Sequence, residues 1–193
     1  MFFLSPAFNV ACAVWGLVLC ACACANAHDL QENRATLVQR DSHLVSMTLY
    51  IAMPEAMHRV LAPERPFQEF ALAYANLPLV AFKSALLQIT SHMQSQTRAS
   101  TAGGRQQGFE RWVWPEPQQI QTALRERLME AVVAPGKHSQ AAPLEVRAQL
   151  HAVRPIRALR VQFPAALGRV TVVSYRPKQI FAEPQQLSPI VLF

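Results

Sequence analysis

Strand-like runs stand at both ends of this chain and helical spacing fills its middle, an order that few folds accommodate. Arg34–Arg40 and His43–Ile51 carry the first strand signals. In the second run Leu44, Ser46, Thr48 and Tyr50 alternate against Val45, Met47, Leu49 and Ile51, the period of a half-buried strand. Asp41-Ser42 between the runs supplies turn chemistry. After Met53-Pro54 the period becomes helical. Met57, Val60 and Leu61 form one face, and Phe67, Phe70 and Tyr74 another, behind Pro66 at the first turn. Pro78 ends or kinks that element. Leu79, Phe82, Leu86, Ile89 and Met93 make the next stripe, and Ile120, Leu124, Leu128, Ala131 and Val132 the last.

Between those stripes, Ser95–Gly108 reads as an exposed loop and Phe109–Trp114 as a short strand with Trp112 and Trp114 on one face. The last third returns to period two. Leu144, Val146, Ala148 and Leu150 alternate against Glu145, Arg147, Gln149 and His151. Leu159–Phe163 and Arg169–Tyr175 follow, and Ile180-Phe181 and Ile190–Phe193 could add short edge pairings. Strands, helices, then strands, without βαβ alternation, predict an α+β fold. The expected architecture is an antiparallel sheet or sandwich with a helical insertion between an N-terminal hairpin (34–53) and C-terminal strands (144–175). An isolated hairpin is marginal, so it should join the later strands in one antiparallel sheet, with helices from 54 to 134 over a face or edge.

The first 27 residues have a different character. Met1–Ala27 contains no Lys, Arg, Asp or Glu. An apolar run from Ala11 to Cys20 leads into Ala25-Asn26-Ala27, the layout of a secretory signal peptide with an A-x-A cleavage site. The run is short for a membrane span of about 20 residues, though an uncleaved anchor is the competing reading. The expectation is a signal peptide at 1–27 and a single α+β domain at 28–193, in the periplasm. Cys12, Cys20, Cys22 and Cys24 all fall in the leader, which leaves the domain without a disulfide framework, a Cys-ligated metal or a thiol nucleophile. Leu19-Cys20-Ala21-Cys22 resembles a lipobox, so a lipoprotein modified at Cys22 is the alternative. No Asn-x-Ser/Thr sequon follows the leader, which fits a bacterial exported protein.

The formal net charge of +6 lies downstream of the leader and suits an anionic envelope surface or acidic partner. The basic residues are scattered, without a run and without aromatic interleaving. With export, that argues against nucleic acid. No second stretch is long enough to cross a membrane. Gly103-Gly104 lacks the strand-turn-helix context of a nucleotide loop, and neither G-x-S-x-G nor H-E-x-x-H occurs. The carboxylates are few and dispersed, so no catalytic set is named. Trp112 and Trp114 beside Arg111 could line a glycan or aromatic-binding surface, or pack in the core.

His28 is the one chemically unusual position. Cleavage after Ala27 makes it the first residue, and its amine and imidazole then chelate a metal. With one further imidazole from His43, His138 or His151 they form the three-nitrogen set that copper(II) favours. Cleavage after Ala25 instead leaves Asn26-Ala27-His28, whose third-position imidazole also suits copper(II) or nickel(II). An N-terminal histidine resembles that of lytic polysaccharide monooxygenases and periplasmic copper-resistance proteins. The other histidines have no ligand spacing and read as solvated or capping residues.

Arg34-Ala-Thr-Leu-Val with His43-Leu, Pro66-Phe-Gln-Glu-Phe, Arg111-Trp-Val-Trp-Pro115 and Val173-Ser-Tyr-Arg-Pro177 resemble a group of exported β-proteobacterial proteins. The resemblance spans nearly the whole chain after the leader. It implies export and carries over no activity and no functional residue. The function expected from all of this is a periplasmic, non-catalytic envelope or accessory binding module, with an envelope protein or anionic surface as partner. The alternative is a periplasmic copper-binding protein using His28.

Overall fold

Asp41 shows how local chemistry starts the fold. Its Oδ1 accepts the backbone N–H of His43 at 2.6 Å and of Leu44 at 2.9 Å, so a short side chain completes the turn that the peptide groups cannot. That turn joins β1 (Asn33–Gln39) to β2 (Leu44–Ile51) as an antiparallel hairpin with Val38 opposite Ser46. The computed structural model of the protein describes residues 33–101, 106–133 and 142–177, and all belong to one compact unit that begins at Glu32.

Among the described residues four helices and six more strands follow: α1 (Met53–Leu61), α2 (Phe67–Ala75), α3 (Leu79–Gln96), β3 (Arg98–Thr101), β4 (Gln106–Gly108), β5 (Glu110–Val113), α4 (Pro117–Val133), β6 (Leu144–His151), β7 (Leu159–Gln162) and β8 (Val170–Tyr175). The α+β class and the helical insertion are therefore as the hydrophobic periods require. Prolines divide the helical part. Pro66 (φ −55°, ψ 139°) and Pro78 (φ −54°, ψ 143°) are extended residues just before α2 and α3. Pro78 thus opens a new helix rather than merely ending one, since its fixed φ suits the residue at a helix entrance and it has no N–H to leave unbonded.

The strands form a five-stranded sheet, β5-β6-β2-β1-β8, and a three-stranded sheet, β4-β3-β7. Three expectations need correcting. The larger sheet is mixed, because β8 runs parallel to β1 with Ala35 beside Val172. β7 leaves it to pair with β3. The Ser95–Gly108 segment is a strand pair as well as a loop, with Ala99 turned into the core at 2% exposure. Ile180-Phe181 and Ile190–Phe193 lie outside the described residues.

Asn33 sits where the parallel pairing begins, opposite Val170. Its Nδ2 donates to the carbonyl of Leu167 in the 3-10 turn Ala165–Leu167, and its Oδ1 accepts the Ala52 N–H at 2.8 Å. One buried amide therefore ties the start of β1 to the end of β2 and to the entry of β8. The chain leaves that turn at Gly168, where φ is +64° and ψ is −140°. Residues with a Cβ are nearly excluded there, and an added Cβ would also lie 3.3 Å from the Arg59 guanidinium that bonds Ala166 O. Gly168→Ala is expected to cost about 1–3 kcal/mol; a urea melt with an unshifted midpoint would contradict it.

The alternation predicted for β2 and β6 holds. Val45, Met47, Leu49, Ile51, Val146, Ala148 and Leu150 are each at most 4% exposed. They share one cluster with Met53 and Met57 of α1, Phe70 of α2, Phe82 and Ile89 of α3, and Leu124 of α4. The helix stripes and the sheet's inner face are thus two sides of one core. The opposite face carries Arg34, Thr36, Thr48, Tyr50 and Arg147, the first stacked over the Tyr50 ring at 4.6 Å.

Candidate functional site

Strand pairing gathers cations that are far apart in sequence. β1 ends at Gln39 and β2 begins at Leu44, which lies opposite His151 at the end of β6. β8 ends beside them, with Tyr175 next to Val38. The chain after β6 folds back over the same end. Ala152 N–H donates to His43 O at 2.9 Å, Ile156 N–H donates to Ser42 O at 2.6 Å, and Gln39 Nε2 donates to Ile156 O at 2.8 Å. Arg40, His43, His151, Arg154, Arg157 and Arg176 are consequently brought to one end of the five-stranded sheet, and all six are exposed.

The electrostatics of that end are one-sided. Asp41 is the acid that the pairing brings there, and its Oδ1 already holds two backbone amides. Arg40 bonds Ser46 Oγ at 3.2 Å and His43 meets Ser42 Oγ at 2.9 Å. Arg154, Arg157 and Arg176 have no ion pair among the described residues. From Val146 to Pro177 the chain has six arginines and no Asp or Glu. Two apolar side chains stand exposed nearby: Val153 at 93% and Tyr175 at 57%.

The tryptophans make a second feature, at the β5 edge. Glu110 and Val113 pair with β6 through a bulge, where Arg111 takes φ +51°. Bulges bend an edge strand and re-aim its side chains. Trp112 and Trp114 stack with ring centroids 5.5 Å apart and planes at 13°. Trp112 Nε1 donates to Phe109 O at 2.8 Å. Trp114 Nε1 is buried and has no partner among the described residues. Trp114 also lines a cleft of about 390 Å³ with Val113, Pro115, Gln119, Leu144, Glu145 and Arg147.

No family model, curated protein or solved structure matches this chain. The reading of its function accordingly rests on its own residues. His28, the candidate metal ligand, and His138 lie outside the described residues, as do Cys12, Cys20, Cys22 and Cys24. His43 and His151 are brought together at the cationic end. Among the described residues no three His, Cys, Asp or Glu side chains are grouped to hold a metal, and no helix is long and apolar enough to cross a membrane. The basic residues that read as scattered are thus partly gathered. What sequence reading missed is this convergence, which only the β1–β8 and β2–β6 pairings produce.

Proposed function

We propose that the protein is a non-catalytic accessory module of the bacterial envelope, exported to the periplasm, which docks on an anionic lipid surface through the end of its larger sheet. The observation that carries this reading is the convergence of Arg40, Arg154, Arg157 and Arg176 with His43 and His151 on one exposed end. Export rests on the charge-free, apolar layout of residues 1–27. Exposed Val153 and Tyr175 favour a lipid surface over a soluble anion, because an interface offers apolar depth as well as phosphate charge.

Each basic side chain near an anionic bilayer contributes about 1 kcal/mol, and the attraction decays within a Debye length. Binding should therefore be strong to phosphatidylglycerol vesicles, weak to phosphatidylcholine vesicles and sensitive to salt. Co-sedimentation at 0.1 M salt, with screening over about 10 Å, and at 1 M, with screening over about 3 Å, checks this. Equal retention on both vesicle types, or retention indifferent to salt, would contradict electrostatic docking.

A further inference from the structure

The cationic end leaves the tryptophan cleft without a role. We propose that this cleft binds carbohydrate, taking a neutral, hydroxyl-rich sugar ring against Trp114. A sugar ring offers an apolar face of C–H groups and a rim of hydroxyls that both donate and accept. Its site needs a flat apolar wall and mixed polar partners at the edge. Trp114, Val113, Pro115 and Leu144 supply the apolar part of the lining, and Gln119, Glu145 and Arg147 the polar part. The cleft's volume of about 390 Å³ is that of a small-molecule site.

The polar partners are in the right state for such a ligand. Arg147 Nε donates to Glu145 Oε1 in an ion pair. The pair cancels its own charge yet keeps free guanidinium N–H groups and carboxylate lone pairs for hydroxyls. A cleft so balanced has no preference for anions, unlike the end of the sheet. Gln119 Oε1 accepts the Glu116 N–H at 3.2 Å, and its amide NH₂ has no partner among the described residues.

The two indoles differ in one decisive respect. Trp112 is fixed by its bond to Phe109 O, which makes it the rigid backing of the stack. Trp114 keeps a buried N–H that the fold leaves unmatched, a costly state that native structures seldom retain without a reason. A tilt of the Trp114 indole toward a ligand hands that N–H to a hydroxyl. Trp114 directly follows β5, the edge strand of the larger sheet.

The test uses chitotetraose and cellotetraose as neutral probes, read by calorimetry and by the indole N–H cross-peaks of ¹⁵N-labelled protein. The Trp114 peak, assigned by its loss in Trp114→Phe, should move on titration by more than the Trp112 peak. Trp114→Phe should weaken binding about tenfold through loss of the donor. Gln119→Ala, an exposed change that does not touch the core, should weaken it similarly and keeps the test open if the tryptophan variant misfolds. Binding should persist at the salt concentration that releases vesicles, so failure of lipid docking and failure of sugar binding can be told apart. No response to either oligosaccharide, affinities unchanged in both variants, or a response to free indole with none to sugars would overturn the proposal.

Discussion

Phe70→Ala is expected to lower stability by about 3–5 kcal/mol, among the largest effects of any single truncation in this domain. The side chain is 0% exposed. Its ring lies 4.7 Å from Tyr74, 5.2 Å from His58 and 6.2 Å from Phe67, centroid to centroid. Phe70 therefore joins α1 to α2 at the point where both cover the inner face of the sheet. His58 is bonded to the Arg65 carbonyl at 2.7 Å, which opposes its movement into the space. A cavity forms, and the loss combines removed apolar area with contacts that nothing replaces. Urea unfolding should show a lower midpoint with an unchanged slope. A loss under about 1 kcal/mol would mean that the helices repack freely over the sheet.

Asn33→Leu is expected to cost about 2–4 kcal/mol despite similar size. Leucine strands the buried Leu167 carbonyl and the half-buried Ala52 N–H, and a buried polar group left unbonded costs about 1–3 kcal/mol. The effect should concentrate where the amide acts. Hydrogen exchange at Ala52 should accelerate along with amides of β8, whose entry loses its tie to β1. Unchanged exchange in β8 would show that the parallel pairing is held by the ladder alone.

These two residues also mark how far the sequence can be read. Alternation was legible on β2 and β6 because one face of each meets helices and the other does not, so a two-residue period survives in composition. The helix stripes through Phe70, Phe82 and Ile89 were legible for the same reason. The parallel β8 was not. Its partner β1 is far away in sequence, with Asn33 bonded to Leu167 across 134 positions, and no local pattern encodes that pairing. β3 was hidden in a polar segment because a four-residue strand with only Ala99 turned inward carries almost no period. The stacked tryptophans follow from their two-residue spacing, whereas Gln119, Glu145 and Arg147 reach the same cleft from α4 and β6.

The cationic end has the same origin as the parallel strand. Arg40, Arg154, Arg157 and Arg176 are unremarkable singly and become a surface only through strand order. That convergence, rather than net charge, is the central claim, and one comparison separates the two. Arg157→Ala/Arg176→Ala removes two charges from the end of the sheet, and Arg65→Ala/Lys83→Ala removes two exposed charges from the helical region. Binding of both variants to phosphatidylglycerol vesicles at 0.1 M salt is the measurement. The first variant should bind about 30-fold more weakly, at about 1 kcal/mol for each charge lost from the surface, and the second nearly as well as the unmodified protein. Equal losses in the two variants would show that the protein responds to total charge, with no docking end.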